Sequence, residues 1–400
     1  MMRYRAPVVG FMIRLIRAPL MSVWAAAAVV RLGELARTGP VPGGDTATYR
    51  AAADQLRGAP LVDGASLSFL PPLLPVLMAV VRNDAALAIL LALLGALVAP
   101  ACWALTNRHF GRAAAWIAAA LAATEPSFVQ WTPYLLTDLP GLSLFAVALE
   151  RTSVQLASPR PAAALAAGVA TGLSYTARAA FALPGLILAL THASTTRRRA
   201  VVGAFVLGVG LVFLPFLVRN EIALGEATVY RGQTWLLLWA GTRWNEVGRA
   251  TGGVDLIYPG DYASWTPEQR DAFHRQEFMS FVTEHPGEWL LLALRKALWF
   301  WLPAYPEWSA IHKLLAIPYF CILYALAGVG AVHQRRSALT WLLLACIAAT
   351  QLTVMATIVD YDDRYRLPVE LCLLPLAASA AASIGAVLRR SPVISRSGNG

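Results

Sequence analysis

The sequence predicts an all-α protein, a polytopic transmembrane helix bundle of about ten spans with interfacial helices on its outer-face loops. Three observations point there. Of 400 residues, 58% are hydrophobic and 14% charged, against about 45–50% and about 25% in an ordinary soluble domain. The apolar residues gather in blocks long enough for helices that cross a hydrocarbon core of about 30 Å, which takes roughly 20 residues. The arginines between those blocks segregate onto one face, as they do in cytoplasmic loops.

In chain order the blocks fall near 14–32, 85–106, 113–131, 139–156, 161–176, 179–192, 200–218, 314–332, 338–358 and 367–388. Arg3, Arg5 and Arg14 ahead of the first give it the look of a secretory signal. Its apolar run is long and more spans follow, so it reads as an uncleaved anchor. With ten spans, Arg108/Arg112, Arg151/Arg160, Arg197 to Arg199, Arg335/Arg336 and Arg389/Arg390 all fall on the side of the N-terminus. Among acidic residues only Glu150 joins them, so acidic chemistry belongs to the outer face. Two apolar segments remain: 68–82, with Pro71, Pro72 and Pro75, and 287–303, with Trp299, Phe300 and Trp301. Parity keeps both from crossing, and they read as helices lying in the outer interface.

The outer face is then built from the loop 33–84, the stretch 219–313 and the turn 359–366. Residues 1–390 form one transmembrane domain, and 391–400 a cytoplasmic tail. The net charge of +10 is met by anionic lipid headgroups, so membrane lipids are expected partners and nucleic acid is not. Two of the 33 basic residues are lysine, an arginine bias that suggests a GC-rich bacterial genome. The expected location is a bacterial inner membrane, both termini cytoplasmic. Cys102, Cys321, Cys346 and Cys372 lie inside apolar blocks, which suits small fillers. The six histidines form no i, i+4 pair, so no metal site is expected, and no phosphate loop or fixed repeat signals a cofactor.

Gly44-Asp45-Thr46-Ala47-Thr48-Tyr49, a helical stretch 51–58 and Pro71-Pro72-Leu73-Leu74-Pro75 make the pattern G-D-x-x-x-Y, helix, P-P-L-x-P. It resembles the first outer loop of the GT-C superfamily of membrane glycosyltransferases, in the branch of the protein O-mannosyltransferases and the lipid A aminoarabinose transferase. Leu136-Thr137-Asp138, Gly172-Leu173, Thr176-Ala177-Arg178, Pro215, Arg219-Asn220, Leu224-Gly225 and Arg364-Tyr365-Arg366-Leu367-Pro368 follow in the expected order. The resemblance covers most of 14–390. It implies transfer of a sugar from a polyprenyl-phosphate donor to an envelope lipid, glycan or protein acceptor outside the cytoplasm, inverting and metal-independent, with no cofactor.

By that resemblance Asp45 is the candidate base that takes the acceptor's proton, although an Asp in front of a helix is also a good N-cap. Asp138 is the second catalytic candidate. A carboxylate at the head of an apolar run needs a partner or a task, and capping the span that follows is the simpler one. Arg178 interrupts two apolar runs and is the candidate clamp for the leaving phosphate, against an arginine snorkelling to headgroups. Arg219, Arg364 and Arg366 are further candidates, with Tyr49 and Tyr365 beside them as substrate-binding residues. Thr46 stands where many relatives carry a second acid, which tells against a metal-assisted or protein-mannosylating version. Glu125 matches no motif. Asp360-Tyr361-Asp362-Asp363 looks like a nucleotide-sugar D-x-D, but the turn faces outward, and ion pairs with Arg364 and Arg366 account for it. Tyr230, Trp235, Trp239 and Trp244 stack on sugar faces or mark the interface. Two rival classes stand beside the enzyme: a transporter or flippase for a lipid-linked sugar, and a non-catalytic envelope-assembly protein of the same fold. A transporter would show paired mid-span acids and two related halves, and the sequence has neither.

Overall fold

Alanine, leucine and arginine are strong helix formers, and they carry the first block well past its predicted end, as α1 (Ala6–Thr38). The structure, a computed structural model, describes residues 6–59, 69–195, 199–243, 258–304, 308–357 and 364–390. After α1 come two short helices: the amphipathic α2 (Thr46–Gly58), which buries Thr46, Tyr49, Ala52 and Ala53, and α3 (Leu73–Val80), which starts behind Pro71-Pro72. α3 has eight residues, about 12 Å at 1.5 Å per residue, and is too short to cross.

Asn83 accepts a hydrogen bond from the Ala86 N–H and so caps α4 (Asp84–Gly95), which continues into α5 (Val98–Phe110) as one membrane-length unit. Gly111, with φ 89°, turns the chain into α6 (Arg112–Thr124). The short α7 (Pro126–Gln130), α8 (Asp138–Ala157) and α9 (Pro161–Ala177) follow. A 3-10 turn at Ala179–Phe181 leads into α10 (Ala182–Thr195), then α11 (Arg199–Leu224).

The long segment after α11 folds into α12 (Thr234–Thr242), a 3-10 turn at Tyr262–Ser264, α13 (Pro267–Glu284) and α14 (Pro286–Phe300). A Thr266/Gln269 capping box starts α13. The last elements are α15 (Ala310–His333), α16 (Ala338–Ala356), a 3-10 turn at Arg364–Arg366 and α17 (Leu367–Arg390).

Among the described residues, six helices are long and apolar enough to cross a membrane: Pro19–Thr38, Asp84–Phe110, Arg199–Leu224, Ala310–His333, Ala338–Ala356 and Arg364–Arg389. The other four blocks read as spans also form helices, α6, α8, α9 and α10, which are shorter or less apolar. The protein is a multi-pass membrane bundle, and hydropathy alone yields more spans than helices of full length.

Near its centre α8 touches α4, α5, α9 and α10, while α9 lies against α11 and α15 against α17. The α9–α11 contact is backbone on backbone. A Cβ on Gly168 would sit 2.1 Å from the Phe205 carbonyl oxygen, and one on Gly208 2.3 Å from that of Leu165. Lipid tails are as apolar as leucine, so helices in a bilayer gain by such close approach rather than by hiding apolar surface. Gly168 and Gly172 form a G-x-x-x-G pair on that face. Gly168→Leu is expected to lower stability in detergent by about 1–3 kcal/mol through overpacking, read as a fall in apparent Tm. Gly203→Leu, at a position with open space, should leave Tm nearly unchanged.

Charge is partitioned along α8. Asp138 begins it, whereas Glu150, about 18 Å further along, meets Arg108 at 2.7 Å and Arg151 at 3.0 Å. The one acid expected among the basic loops is thus neutralised by them, at the end away from Asp138.

Candidate active site

Two loops far apart in sequence are strapped together at the Asp138 end of the bundle. The Val41 N–H donates to Pro133 O at 2.8 Å, and the Leu135 N–H donates back to Val41 O at 3.0 Å, a single parallel bridge. The Thr46 hydroxyl locks it, donating to Leu135 O at 3.1 Å and accepting from the Gly43 N–H at 2.8 Å. Gly43 gives the Leu136 side chain room, since a Cβ there would lie 2.7 Å from it and force it to shift. The Gly44-Asp45 and Leu136-Thr137-Asp138 motifs are thereby brought side by side. Thr46 has a task a carboxylate could not perform, since an ionised acid has no proton to donate to a carbonyl.

Asp45 occupies the N-cap position of α2, with φ −86° and ψ −7°, and its side chain makes no capping bond. Its carboxylate is exposed and joins no ion pair among the described residues. The capping task is not taken up, which leaves the group available. One turn on, Tyr49 is 5% exposed. Its phenol lies within hydrogen-bonding reach of the Thr137 side chain and within electrostatic range of Asp45, Arg178 and Arg364. Burial raises the phenol above its ordinary value, Asp45 pushes the same way, and the Thr137 contact with the two arginines offsets part of it. Tyr49 is therefore a neutral O–H in the middle of the group.

Asp138 does not cap α8 either. It is buried and pairs with Arg178, the residue that ends α9 in an extended conformation, φ −158°. The helix dipole also favours a negative charge at this first turn. The Arg178 guanidinium lies 4.6 Å from the centre of the Tyr365 ring, and that of Arg364 lies 5.4 Å from the same ring and 5.9 Å from Trp131. A narrow cleft is lined by Asp138, Arg178, Phe181, Arg364, Tyr365 and Pro368. The lining thus brings two guanidiniums and one carboxylate together around an aromatic ring.

Two of the named arginines lie elsewhere. Arg219 donates to Asn220 Oδ1 at 2.7 Å, and Asn220 in turn donates to the Thr228 and Val229 carbonyls, bracing the turn after α11. Arg366 is wholly buried, bonded to Glu370 at 2.7 Å and to Leu302 O at 2.6 Å, with its guanidinium 4.2 Å from the Phe320 ring centre. Glu125 is buried and accepts from the Phe128 N–H as a helix cap. Asp360 to Asp363 and Trp244 lie outside the described residues. Of the aromatics, Tyr230 packs on Tyr175 at 5.3 Å, and Trp239 stacks on His274 at 5.0 Å as the core of the outer layer. Trp235 lines an open cleft.

Sequence reading missed Arg31. It is fully buried in α1, donating to Phe128 O at 2.6 Å and to Thr132 Oγ1 at 3.3 Å, with Glu125 as its nearby acid. An arginine inside the first apolar block was the available signal, since such a charge needs a partner. It pins α1 to the segment that leads into the Val41–Leu135 strap.

Residues 71–219 match the profile of the dolichyl-phosphate-mannose-protein mannosyltransferase family. No curated protein matches the chain. Among solved structures, the archaeal oligosaccharyltransferase AglB from Archaeoglobus fulgidus, in complex with an inhibitory peptide and a dolichol-phosphate, is 16% identical. Its TM-score is 0.53 over 92% of this chain and 51% of that one. The same enzyme tethered to an acceptor peptide gives 0.54 at 16% identity, over 92% and 50%. ArnT from Cupriavidus metallidurans bound to undecaprenyl phosphate is 14% identical, with a TM-score of 0.38 over 94% and 79%. The chain spans about half the length of the oligosaccharyltransferase structures it matches. Its fold is similar to that of the archaeal oligosaccharyltransferase structures over most of its length, in line with the family resemblance that the order of motifs in the sequence carries.

Proposed function

We propose that the protein transfers a sugar from a polyprenyl-phosphate donor to an envelope lipid, glycan or protein acceptor, by single displacement with inversion, at the outer face of a bacterial inner membrane. The observation that carries this reading is the strap. It holds the Asp45 loop against the Asp138 segment, and the neutral Tyr49 phenol lies within electrostatic range of Asp45, Arg178 and Arg364.

The donor's phosphate would lie against Arg178 and Arg364, its prenyl tail running into lipid. As the bond from the anomeric carbon to the phosphate oxygen breaks, negative charge grows on that oxygen. Two held guanidiniums stabilise it more in the transition state than in the bound donor. Asp45 takes the proton of the attacking hydroxyl. Asp138 keeps Arg178 in place, Arg366 anchors the Arg364–Arg366 turn from inside the bundle, and Arg219 braces the loop facing Tyr49. Thr46, committed to Leu135 rather than offering a second carboxylate, supports a metal-independent reaction.

The test is mass spectrometry of the lipid that co-purifies from native membrane. A glycosylated polyprenyl phosphate is expected; a lipid with neither phosphate nor sugar would overturn the reading. Thr46→Val, which removes both bonds of the lock, is expected to destabilise by about 1–3 kcal/mol and to slow transfer, while Thr46→Ser restores both. If Val and Ser transfer sugar equally fast, the strap does not position Asp45.

A further inference from the structure

The donor cleft has a much larger neighbour. Between α12, α13 and the turn that follows α11 lies an open cleft of about 650 Å³, joined through Phe69 and Asp271 to a second of about 280 Å³ that reaches Thr48 on α2. Thr48 and Asp45 are three residues apart around the start of one helix, so they share a face about one turn long. The second chamber thus begins within about one helical turn of the candidate base.

Its lining follows a repeated theme, in which an arginine lies near an aromatic ring and a carboxylate stands close by. Arg231 is 5.7 Å from the centre of the Phe69 ring and bonds Glu226 at 3.1 Å and Glu268 at 2.8 Å. Arg275 is 5.5 Å from the Trp235 ring, and Arg270 is 5.0 Å from that of Tyr262. Asp271 faces both chambers. Basic and acidic groups nearly balance: Arg231, Arg270 and Arg275 against Glu226, Glu268 and Asp271.

That chemistry discriminates among acceptors. An acyl chain needs a continuous apolar groove, and here Glu226, Arg231, Glu268, Asp271 and Arg275 interrupt the lining of the larger chamber. A polyanion needs excess positive charge, which Glu226, Glu268 and Asp271 cancel. An extended peptide commonly pairs with a strand edge, and every lining element here is a helix or a turn. A saccharide fits each feature. Its hydroxyls donate to carboxylates and accept from guanidiniums, its ring faces lie on aromatic planes, and the volume falls in the ~300–1,000 Å³ range of ligand pockets.

We propose that the acceptor is a water-exposed, largely uncharged glycan, held in the cleft by Trp235, Arg275, Asp271 and Glu268, with its reactive hydroxyl delivered past Thr48 to Asp45. The proposal deepens the transferase reading and rests on it for the last step, but the glycan-binding part can be tested apart. The full chain in detergent is applied to arrays of neutral oligosaccharides, acidic oligosaccharides, phospholipids and peptides.

Saturable binding to neutral oligosaccharides is expected, weakened about tenfold or more by Trp235→Ala and retained by Trp235→Phe. Binding of polyprenyl phosphate should persist in both variants, which shows that they are folded. Preference for lipids, peptides or acidic glycans, or equal glycan binding by Trp235→Ala and wild type, overturns the proposal. If glycan binding follows this pattern while the chain neither binds polyprenyl phosphate nor transfers sugar, the cleft assignment stands and the transferase reading fails.

Discussion

Asp45→Asn is expected to lower sugar transfer by about 10²- to 10⁴-fold, the usual worth of a positioned general base, in protein that folds and binds donor normally. The expectation rests on where the carboxylate stands. It is exposed, caps no helix and joins no ion pair among the described residues, so replacing one oxygen by an amide removes no structural contact. Surface changes of that kind shift stability by no more than about 0.5 kcal/mol. The Asn side chain has the same shape but cannot accept a proton at working pH. Transfer is measured with a polyprenyl-phosphate sugar in detergent, and donor affinity by titration with polyprenyl phosphate alone. A variant that transfers at the wild-type rate would exclude Asp45 as the base. Unchanged affinity with a lost rate would separate the enzyme from a flippase that merely holds the same lipid.

The second large effect concerns stability. Glu370→Ala should destabilise the bundle by about 3–5 kcal/mol, the cost of leaving a buried charge without its partner. Arg366 and Glu370 are both 0% exposed and meet at 2.7 Å. The bond of the guanidinium to Leu302 O brings no opposing charge. The damage should reach the site, because Arg366 closes the same 3-10 turn that presents Arg364 and Tyr365. Arg366→Met combined with Glu370→Met, which removes both charges and keeps apolar volume, is expected to recover most of the apparent Tm, since a buried pair can often be replaced by apolar residues at little cost. A double variant no more stable than Glu370→Ala would mean that the pair's worth lies in its bonds to the surroundings rather than in mutual neutralisation.

Much of this architecture could be read before any coordinates. Runs such as 200–218 and 338–358 are apolar over a bilayer's thickness, a local property that needs no tertiary partner, and helices fill them. Hydropathy also marked α6, α8, α9 and α10, which form helices that are shorter or less apolar than the other six. For the site, motif order singled out Asp45, Asp138, Arg178, Arg364 and Tyr365, and the fold gathers them at one end. The direction of an arginine at a helix end is another matter. Successive residues of a 3-10 turn point about 120° apart, so Arg364 and Arg366 in one turn diverge, one beside the cleft and the other inside the bundle.

The sequence by itself determined that this chain is a set of membrane helices whose candidate site residues stand at helix ends, since twenty apolar residues or a carboxylate at a span boundary signify the same thing in any fold. Only the tertiary structure decided that Thr46 and Leu135, 89 residues apart, would be joined by a hydrogen bond, that Asp138 would pair with Arg178 rather than cap a helix, and that a mixed-charge cleft would open beside Thr48. Pairing across such distances depends on which surfaces the packed helices bring together, and no local pattern of residues encodes it.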